Sequence, residues 1–456
     1  MSNLGANPGS NLGSNLGIDA ERLWDSLMET ARIGGTPDGG IARLTLSDDD
    51  RRVRDWLAGQ CAALGMTMVV DEVGNMFATR PGTKPDLPAI AMGSHLDTQP
   101  TGGRFDGVLG VLAGLEVLRT LDGAGYRTEA PLMLVNWTNE EGSRFAPAML
   151  GSGIWAGIYS RDYGETRADI SGDTFGASLD RIGYRGPARA GAVRFGAMFE
   201  LHIEQGPILE AEGARIGVVQ GIQGMRWFDL TLTGMAAHTG STPMRMRRNA
   251  LLGMAQVIEG VERIALAHED AVGTIGFLDI SPNSHNVIPG EVRATVDLRH
   301  PSDAVLDRMQ AELEALVREA AAAVGLGHRL EPISCTAPVA FDAECIASVR
   351  AGAQAAGHAT RDIVSGAGHD AAHTAGVVPT TMIFVPSAGG LSHNPAESTL
   401  PEECAAGAQV LLEAVLDYDR RMADARNMPA RNTPARNADT HKTGAGKTGA
   451  EKTEAA

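Results

Sequence analysis

Apolar residues run almost unbroken through 88–95 and again through 131–137, the pattern of short strands buried on both faces. Between them, positions 107 to about 121 are apolar at helical spacing. The three segments predict a βαβ unit, so the strands run parallel and their carboxyl ends share one edge of a sheet. Ligands of open α/β sheets gather at that edge. Alternation of strand and helix continues over about 18–223. From about 224 the pattern changes to strands at 227–233, 272–280, 291–298 and 330–336, with helices at 243–267 and 302–323. The order β-α-β-β-α-β is ferredoxin-like. Beyond it, 344–356 and 404–424 read as helices and 380–385 as a strand, with His393 in the loop that follows. The expectation is an α/β fold with a mainly parallel sheet, formed by 18–223 and 337–424, into which a small α+β domain of 224–336 is inserted.

Both ends break the pattern. Ser-Asn-Leu-Gly occurs at 2–5, 10–13 and 14–17, and the C-terminal stretch repeats Ala-Arg-Asn and Lys-Thr units. Such low-complexity polar sequence cannot bury enough apolar surface to order itself, so 1–17 and 425–456 are expected to be disordered tails. Gly446-Lys-Thr448 looks like part of a phosphate loop, but it lacks both the glycine five residues earlier and a preceding strand. A chain of 456 residues with 43% apolar and 21% charged positions fits a soluble protein of two domains. Its formal net charge of −17 argues against a nucleic-acid partner and means that an anionic substrate needs a local arginine. No apolar run approaches a membrane span and no signal segment opens the chain, so a cytoplasmic location is expected. Cys61, Cys335, Cys345 and Cys404 have neither metal spacing nor the density of a disulfide framework.

Candidate chemistry concentrates just past the two apolar runs. Gly93-Ser-His-Leu-Asp-Thr-Gln-Pro-Thr-Gly-Gly-Arg-Phe-Asp106-Gly carries His95 and Asp106, and Asn139-Glu-Glu-Gly-Ser-Arg-Phe145 carries Glu140 and Glu141. Imidazole with carboxylates and no cysteine is the ligand set of a hydrolytic zinc, manganese or cobalt centre. Adjacent glutamates suit a division of labour in which one binds metal and the other moves protons. A lone histidine is more often structural. His95 stands apart because it closes a buried strand eleven residues before Asp106, across a glycine-rich turn. His369 and His373, four apart, mimic a helical zinc pair, but Gly368-His369-Asp370 reads better as a pocket wall.

His95-x-Asp97, Asp106, Glu140-Glu141, His202 and His393 occur in this order. They lie with the strings Asn136-Trp-Thr-Asn-Glu-Glu-Gly-Ser-Arg-Phe-Ala-Pro-Ala-Met-Leu-Gly-Ser-Gly153 and Glu200-Leu-His-Ile-Glu-Gln-Gly206. Over about 18–424 the chain resembles the M20 metallopeptidase clan, and within it the hydantoinase/carbamoylase family of amidases. The resemblance implies a catalytic domain holding two divalent ions per subunit (zinc, or manganese, cobalt or nickel), an inserted lid and dimerisation domain, and a homodimer. It implies that His95, Asp106 and His202 hold one ion and that Asp106 bridges to a second completed by Glu141 and His393. Glu140 is then the general base, and Asp97 accepts the other His95 proton and fixes the tautomer. Peptidase branches usually carry an acid where this chain has His202, which favours the amidase branch. His238 is implied as the oxyanion group, often in the partner's site. Arg299 suits a bidentate clamp on a substrate carboxylate, and Gln205, Asn286, Gly368 and His369 complete the substrate surroundings. The implied reaction cleaves an N-carbamoyl amino acid to the amino acid, ammonia and carbon dioxide, as an N-carbamoyl-L-amino acid hydrolase or β-ureidopropionase does. The string 221–228 resembles those members more than allantoate amidohydrolases, the alternative. An M20 dipeptidase or deacylase is disfavoured by His202 and Gln205, and a non-catalytic binding protein by the intact ligand set.

Overall fold

The computed structural model describes residues 16–427. In chain order the strands are β1 (Thr67–Val70), β2 (Met76–Arg80), β3 (Ile90–His95), β4 (Leu132–Trp137), β5 (Ala197–Ile203) and β6 (Ile216–Ile222). Then come β7 (Gly224–Thr233), β8 (Ala237–His238), β9 (Val272–Ser281), β10 (Val287–Ile288), β11 (Glu291–His300) and β12 (Gly327–Thr336), and last β13 (Val339–Ala340), β14 (Thr360–Ser365) and β15 (Thr380–Val385). The first and last groups form one nine-stranded sheet in the order β1-β2-β4-β3-β5-β15-β6-β13, with β14 also on β6. The middle group forms a four-stranded antiparallel sheet, β12-β7-β11-β9, and a two-residue ribbon, β8 with β10.

Four neighbours, β4-β3-β5-β15, run parallel and form the centre of the large sheet. Every residue in them is buried, as unbroken apolar runs covered on both faces require. The flanks turn antiparallel, β2 against β4 on one side and β6 against β15 on the other. The helix Val108–Gly123 joins β3 to β4 and is buried on nearly every side, packed against the sheet and the helix Pro401–Asn427. A helix so placed is apolar all round. Its one fully buried charge, Glu116, is answered by the Arg22 guanidinium at 2.6 Å and the Asp19 amide at 2.9 Å, while Arg119 and Asp122 lie toward its C-terminal end.

The four-stranded sheet is ferredoxin-like in strand order and in its two helices, Ala250–Leu266 and Asp303–Val324. Alternation in β7 and β11 points Phe228, Leu230, Leu232, Val292 and Val296 into the cluster beneath those helices. The opposite face leaves Trp227 and Phe277 exposed. Two expected boundaries move. The helix anticipated from 243 begins only at Ala250, because Asn249 Oδ1 accepts the amides of Leu251 and Leu252 and caps it there. At the other end, Pro401–Asn427 runs past 424, and Leu16, placed in a disordered tail from sequence, accepts a hydrogen bond from Gln409 Nε2 at 2.9 Å. The remaining tail expectations, 1–15 and 428–456 with Gly446–Thr448, lie outside the described residues. Among the described residues no helix is long and apolar enough to cross a membrane.

Candidate metal centre

The carboxyl edge of the parallel strands delivers the reactive side chains. His95 ends β3, Glu140 and Glu141 follow β4, His202 lies next to the end of β5, and His393 sits in the loop after β15. Asp106, from the turn before helix Val108–Gly123, stands at the centre. Its Oδ1 is 3.6 Å from His95 Nε2 and 3.2 Å from His202 Nε2, and its Oδ2 is 3.3 Å from His393 Nε2. His393 Nε2 is also 3.5 Å from Glu141 Oε2, and Glu140 Oε2 lies 3.4 Å from His95 Nε2. Two triads result, His95-Asp106-His202 and Asp106-Glu141-His393, joined through one carboxylate, with ligand atoms in each within 4.8 Å of one another. A third grouping, Glu200-His202-His369, lies behind the first.

Backbone contacts aim the rings. His95 Nδ1 is 2.9 Å from the Asp97 carbonyl and His202 Nδ1 is 2.9 Å from the Ile203 carbonyl. Both rings therefore place a proton on Nδ1 and turn Nε2 toward Asp106, where His202 Nε2 also accepts the Gly107 amide at 3.1 Å. This revises the role expected for Asp97. Its main-chain oxygen fixes the His95 tautomer, while its carboxylate, 3.9 Å from Nδ1, accepts the amides of Glu140 and Glu141 at 3.3 Å each. Glu141 is held from the other side by Gln99, through the amide at 3.1 Å and Nε2 at 2.6 Å. Three non-glycine residues at the edge of the site have left-handed backbone, Asn139 (φ 62°), Gln205 (φ 58°) and His393 (φ 54°). Such conformations persist only where the surroundings enforce them, and they gather at functional sites.

Carboxylates outweigh cations here, and most are buried. Burial pushes Glu140 well above the usual carboxylate range; His95 opposes this, and Asp370 and Glu141 reinforce it. Burial and the neighbouring Asp106 likewise raise Glu141, to about 7. Burial works against a charge on His95, yet Glu140, Asp106 and Asp97 hold its pKa well above the imidazole range. Burial works against a charge on Asp106, but the imidazoles of His202, His393 and His95 around its oxygens hold it far below the carboxylate range. His95 Nε2 is buried and has no hydrogen-bond partner. A buried ring nitrogen left without a partner among carboxylates, with imidazole and oxygen donors and no thiolate, fits a divalent cation.

The other expected site residues divide. Gln205 Nε2 donates to Asp106 Oδ2 at 2.7 Å and lies 3.0 Å from Ser392 Oγ, leaving its buried Oε1 without a partner. His369 is buried with its ring centroid 4.5 Å from that of His202, and Gly368 lies beside Met149. His238 lies in the small ribbon and Asn286 just before its second strand, where Thr239 N donates to Asn286 O; both are exposed, and neither hydrogen-bonds to a side chain of the two triads. Arg299 spends its fork on Asp297 (2.8–3.1 Å) and reaches the Gly366 carbonyl at 3.2 Å. Beside it a cleft of about 680 Å³ separates the two sheets, lined by Gln205, Gln223, Val272, Pro301 and Gly366 among others. Sequence reasoning gave no role to the buried carboxylates Glu397 and Glu200, and read Asp370 only as part of a pocket wall. Glu397 accepts the amides of Phe105 and Asp106 at 3.0 and 3.1 Å; Glu200 accepts Ser94 Oγ at 2.6 Å; both oxygens of Asp370 lack partners. Of the two left without a role, only Glu200 had a signal, since it sits two residues before His202 on one strand and so faces the same side.

The model of Peptidase family M20/M25/M40 matches residues 91–417. An N-carbamoyl-L-amino-acid amidohydrolase of Rhizobium meliloti is 51% identical, over 88% of this chain and 96% of its own length. An allantoate amidohydrolase of Escherichia coli is 34% identical over 86% of this chain and 96% of its length. Among solved structures, a hydantoinase/carbamoylase family amidase from Burkholderia multivorans superposes with a TM-score of 0.87 at 52% identity, covering 88% of this chain and 98% of that one. With two triads sharing Asp106 at the edge of the parallel sheet, the chain belongs to peptidase family M20/M25/M40, among its hydantoinase/carbamoylase amidases.

Proposed function

We propose that this protein hydrolyses the carbamoyl C–N bond of N-carbamoyl-L-amino acids. The observation that carries the reading is Glu140 beside two triads joined through Asp106, in a chain 51% identical to an enzyme of that name. Two divalent cations (zinc, or manganese, cobalt or nickel) would be held by His95, Asp106 and His202 and by Asp106, Glu141 and His393. They would supply Lewis acidity to the carbonyl and to water. Glu140 takes a proton from the attacking water and returns it to the leaving nitrogen. The oxygen–carbon bond forms first, giving a tetrahedral oxyanion; its collapse breaks the carbon–nitrogen bond and frees the amino acid, and the released carbamate decomposes to ammonia and carbon dioxide. Asp97 keeps Glu140 and Glu141 in place through their amides.

His238, Asn286 and Arg299 join the site when the inserted unit closes as a lid, and His238 then donates to the oxyanion. Arg299 already bridges the two units through Gly366. The exposed Trp227 and Phe277 suit the contact face of a homodimer; sedimentation as a monomer at micromolar concentration would refute that part. Ammonia release from N-carbamoyl-L-α-amino acids, N-carbamoyl-β-alanine and allantoate, with and without added divalent metal, tests the function. Preference for the first class with metal dependence is the expected result. Turnover of allantoate alone moves the assignment to the alternative branch, and no release from any of them rejects it.

A further inference from the structure

Arg43 is fully buried, yet among the described residues no carboxylate lies within ion-pair distance of it. Its guanidinium donates instead to main-chain carbonyls: Nε to Leu96 at 2.7 Å, and Nη1 to Thr30 and Ile33 at 2.9 Å each. Nη2 is buried without a partner. Its neighbour Arg54, equally buried, shows the ordinary arrangement, an ion pair to Asp50 at 2.9 Å. Burial lowers the Arg43 pKa to about 10 while Asp50 and Asp97 oppose it from a distance, so the group is charged at neutral pH. A buried cation without a counter-ion is expensive, and its retention calls for something that it holds.

What it holds is the peptide between His95 and Asp97. The Leu96 carbonyl takes the Nε proton, and the main chain of Arg43 pairs with Thr98 in both directions, N to Thr98 Oγ1 and Thr98 N to Arg43 O, each at 2.9 Å. Residues 95–98 are thus fixed along one side by a single residue. The other side of the same four residues carries the site: the His95 ring rests on the Asp97 carbonyl, and the Asp97 carboxylate holds Glu140 and Glu141. We propose that Arg43 is a positioning residue of the metal centre, clamping the Leu96 peptide so that the His95 ring and the Glu140–Glu141 turn keep their places. The proposal rests on the metal-centre reading above.

Arg43→Lys keeps the charge and loses the planar fork. Thr98→Val removes the hydroxyl that takes the Arg43 amide and that donates to the Gln99 and Ile41 carbonyls at 3.0 and 3.3 Å. Each full-length variant is stripped of metal and compared with wild type by melting temperature, by divalent-ion affinity from chelator competition, and by kcat and KM at saturating metal. Arg43→Lys is expected to bind metal at least about tenfold more weakly and to lose at least about tenfold in kcat, with KM changing less than about threefold; losses of 10–100-fold are typical when the groups that orient a metal ligand are removed. Thr98→Val should shift both in the same direction by less. A lower melting temperature with wild-type metal affinity and kcat makes Arg43 merely structural and overturns the inference. Should Arg43→Lys not fold, wild-type metal affinity in Thr98→Val overturns it instead. A wild-type chain that binds no divalent ion in the same competition refutes the metal centre itself, and this inference with it.

Discussion

Gly107 has a left-handed backbone (φ +68°), and a β-carbon built there lies 2.2 Å from His95 Nε2, 2.3 Å from Cε1 and 2.4 Å from Cδ2. Gly107→Ala therefore sets two costs apart. With ψ −45° beside that φ, the backbone lies outside the left-handed helical well, so an L-residue is strained by more than that well's cost of about 1–2 kcal/mol. The overlap is larger in consequence, since carbon needs about 3.5 Å and the ring must retreat by roughly 1 Å. His95 is fully buried and tied through Nδ1, so it cannot swing away freely. Metal–imidazole bonds of about 2.0–2.1 Å tolerate only a few tenths of an ångström, and His95 leaves the ligand set. We expect metal affinity to fall at least about a hundredfold and stability by about 2–5 kcal/mol, overpacking included. The control is Gly125→Ala, where φ is +62° and nothing lies within 4 Å; it carries a backbone cost alone and should leave metal binding and kcat unchanged. Chelator competition and thermal melts on both variants decide the matter. Wild-type metal affinity in Gly107→Ala would show that the Nε2 face of His95 does not look toward a cation.

Glu140→Gln should retain metal while kcat drops by about 10²–10⁴, whereas Glu141→Gln should lose the ion next to His393; metal content beside steady-state rates separates them, and equal metal loss in both would dissolve the division of labour. Arg299→Ala should lower kcat/KM about tenfold to a few hundredfold, the loss of one charge-assisted hydrogen bond of about 1.5–3 kcal/mol. The effect should nearly vanish for a substrate with an amidated carboxylate, and an equal loss on both substrates would assign Arg299 to Asp297 and lid structure. Burial raises the Asp71 pKa to about 6, against the hydrogen bonds from Val73 and Asn75. A raised carboxylate favours the fold fully below about pH 4 and loses that contribution as pH rises through 6. Between pH 4 and 7 the stability of wild type relative to Asp71→Asn should therefore fall by about 3 kcal/mol in urea unfolding, and a pH-independent difference would contradict the assignment.

Where the chain was legible, burial on two faces made it so. The runs at 88–95 and 131–137 appear as β3 and β4 within two residues, and the intervening helix spans Val108–Gly123, because strands at the centre of a parallel sheet are covered on both faces and read as mostly apolar runs. The second sheet was readable because its strands alternate. The short β1 and β13 and the helices Leu150–Trp155 and Arg161–Glu165 carry too few residues for any period to register, and β14, though six residues long, opens on three exposed polar ones. At the site, His95, Asp106 and the two glutamates announced themselves through their positions after apolar runs. Glu397 and Arg43 did not, since each is a solitary charge in unremarkable sequence, and only the three-dimensional packing shows that water has been taken from it. Arg299 and His238 mark the opposite failing: the residue type was informative, but their distance from Asp106 depends on how the two sheets stand, which no local pattern records.

β5 and β6 follow each other closely in the chain, yet β15 lies between them in the sheet, parallel to one and antiparallel to the other. While the first half of the polypeptide is being synthesised, that sheet has a vacant slot one strand wide. Its rims are the unpaired amides and carbonyls of two wholly or largely apolar strands, an invitation to foreign β-structure. The slot stays open until residue 385 has left the ribosome, and the inserted unit of about a hundred residues must be bypassed first. The strand that fills it also leads to His393. Closing the sheet and completing the second triad are therefore one event, so a chain cut short before that point is at once sticky and unable to form the full ligand set.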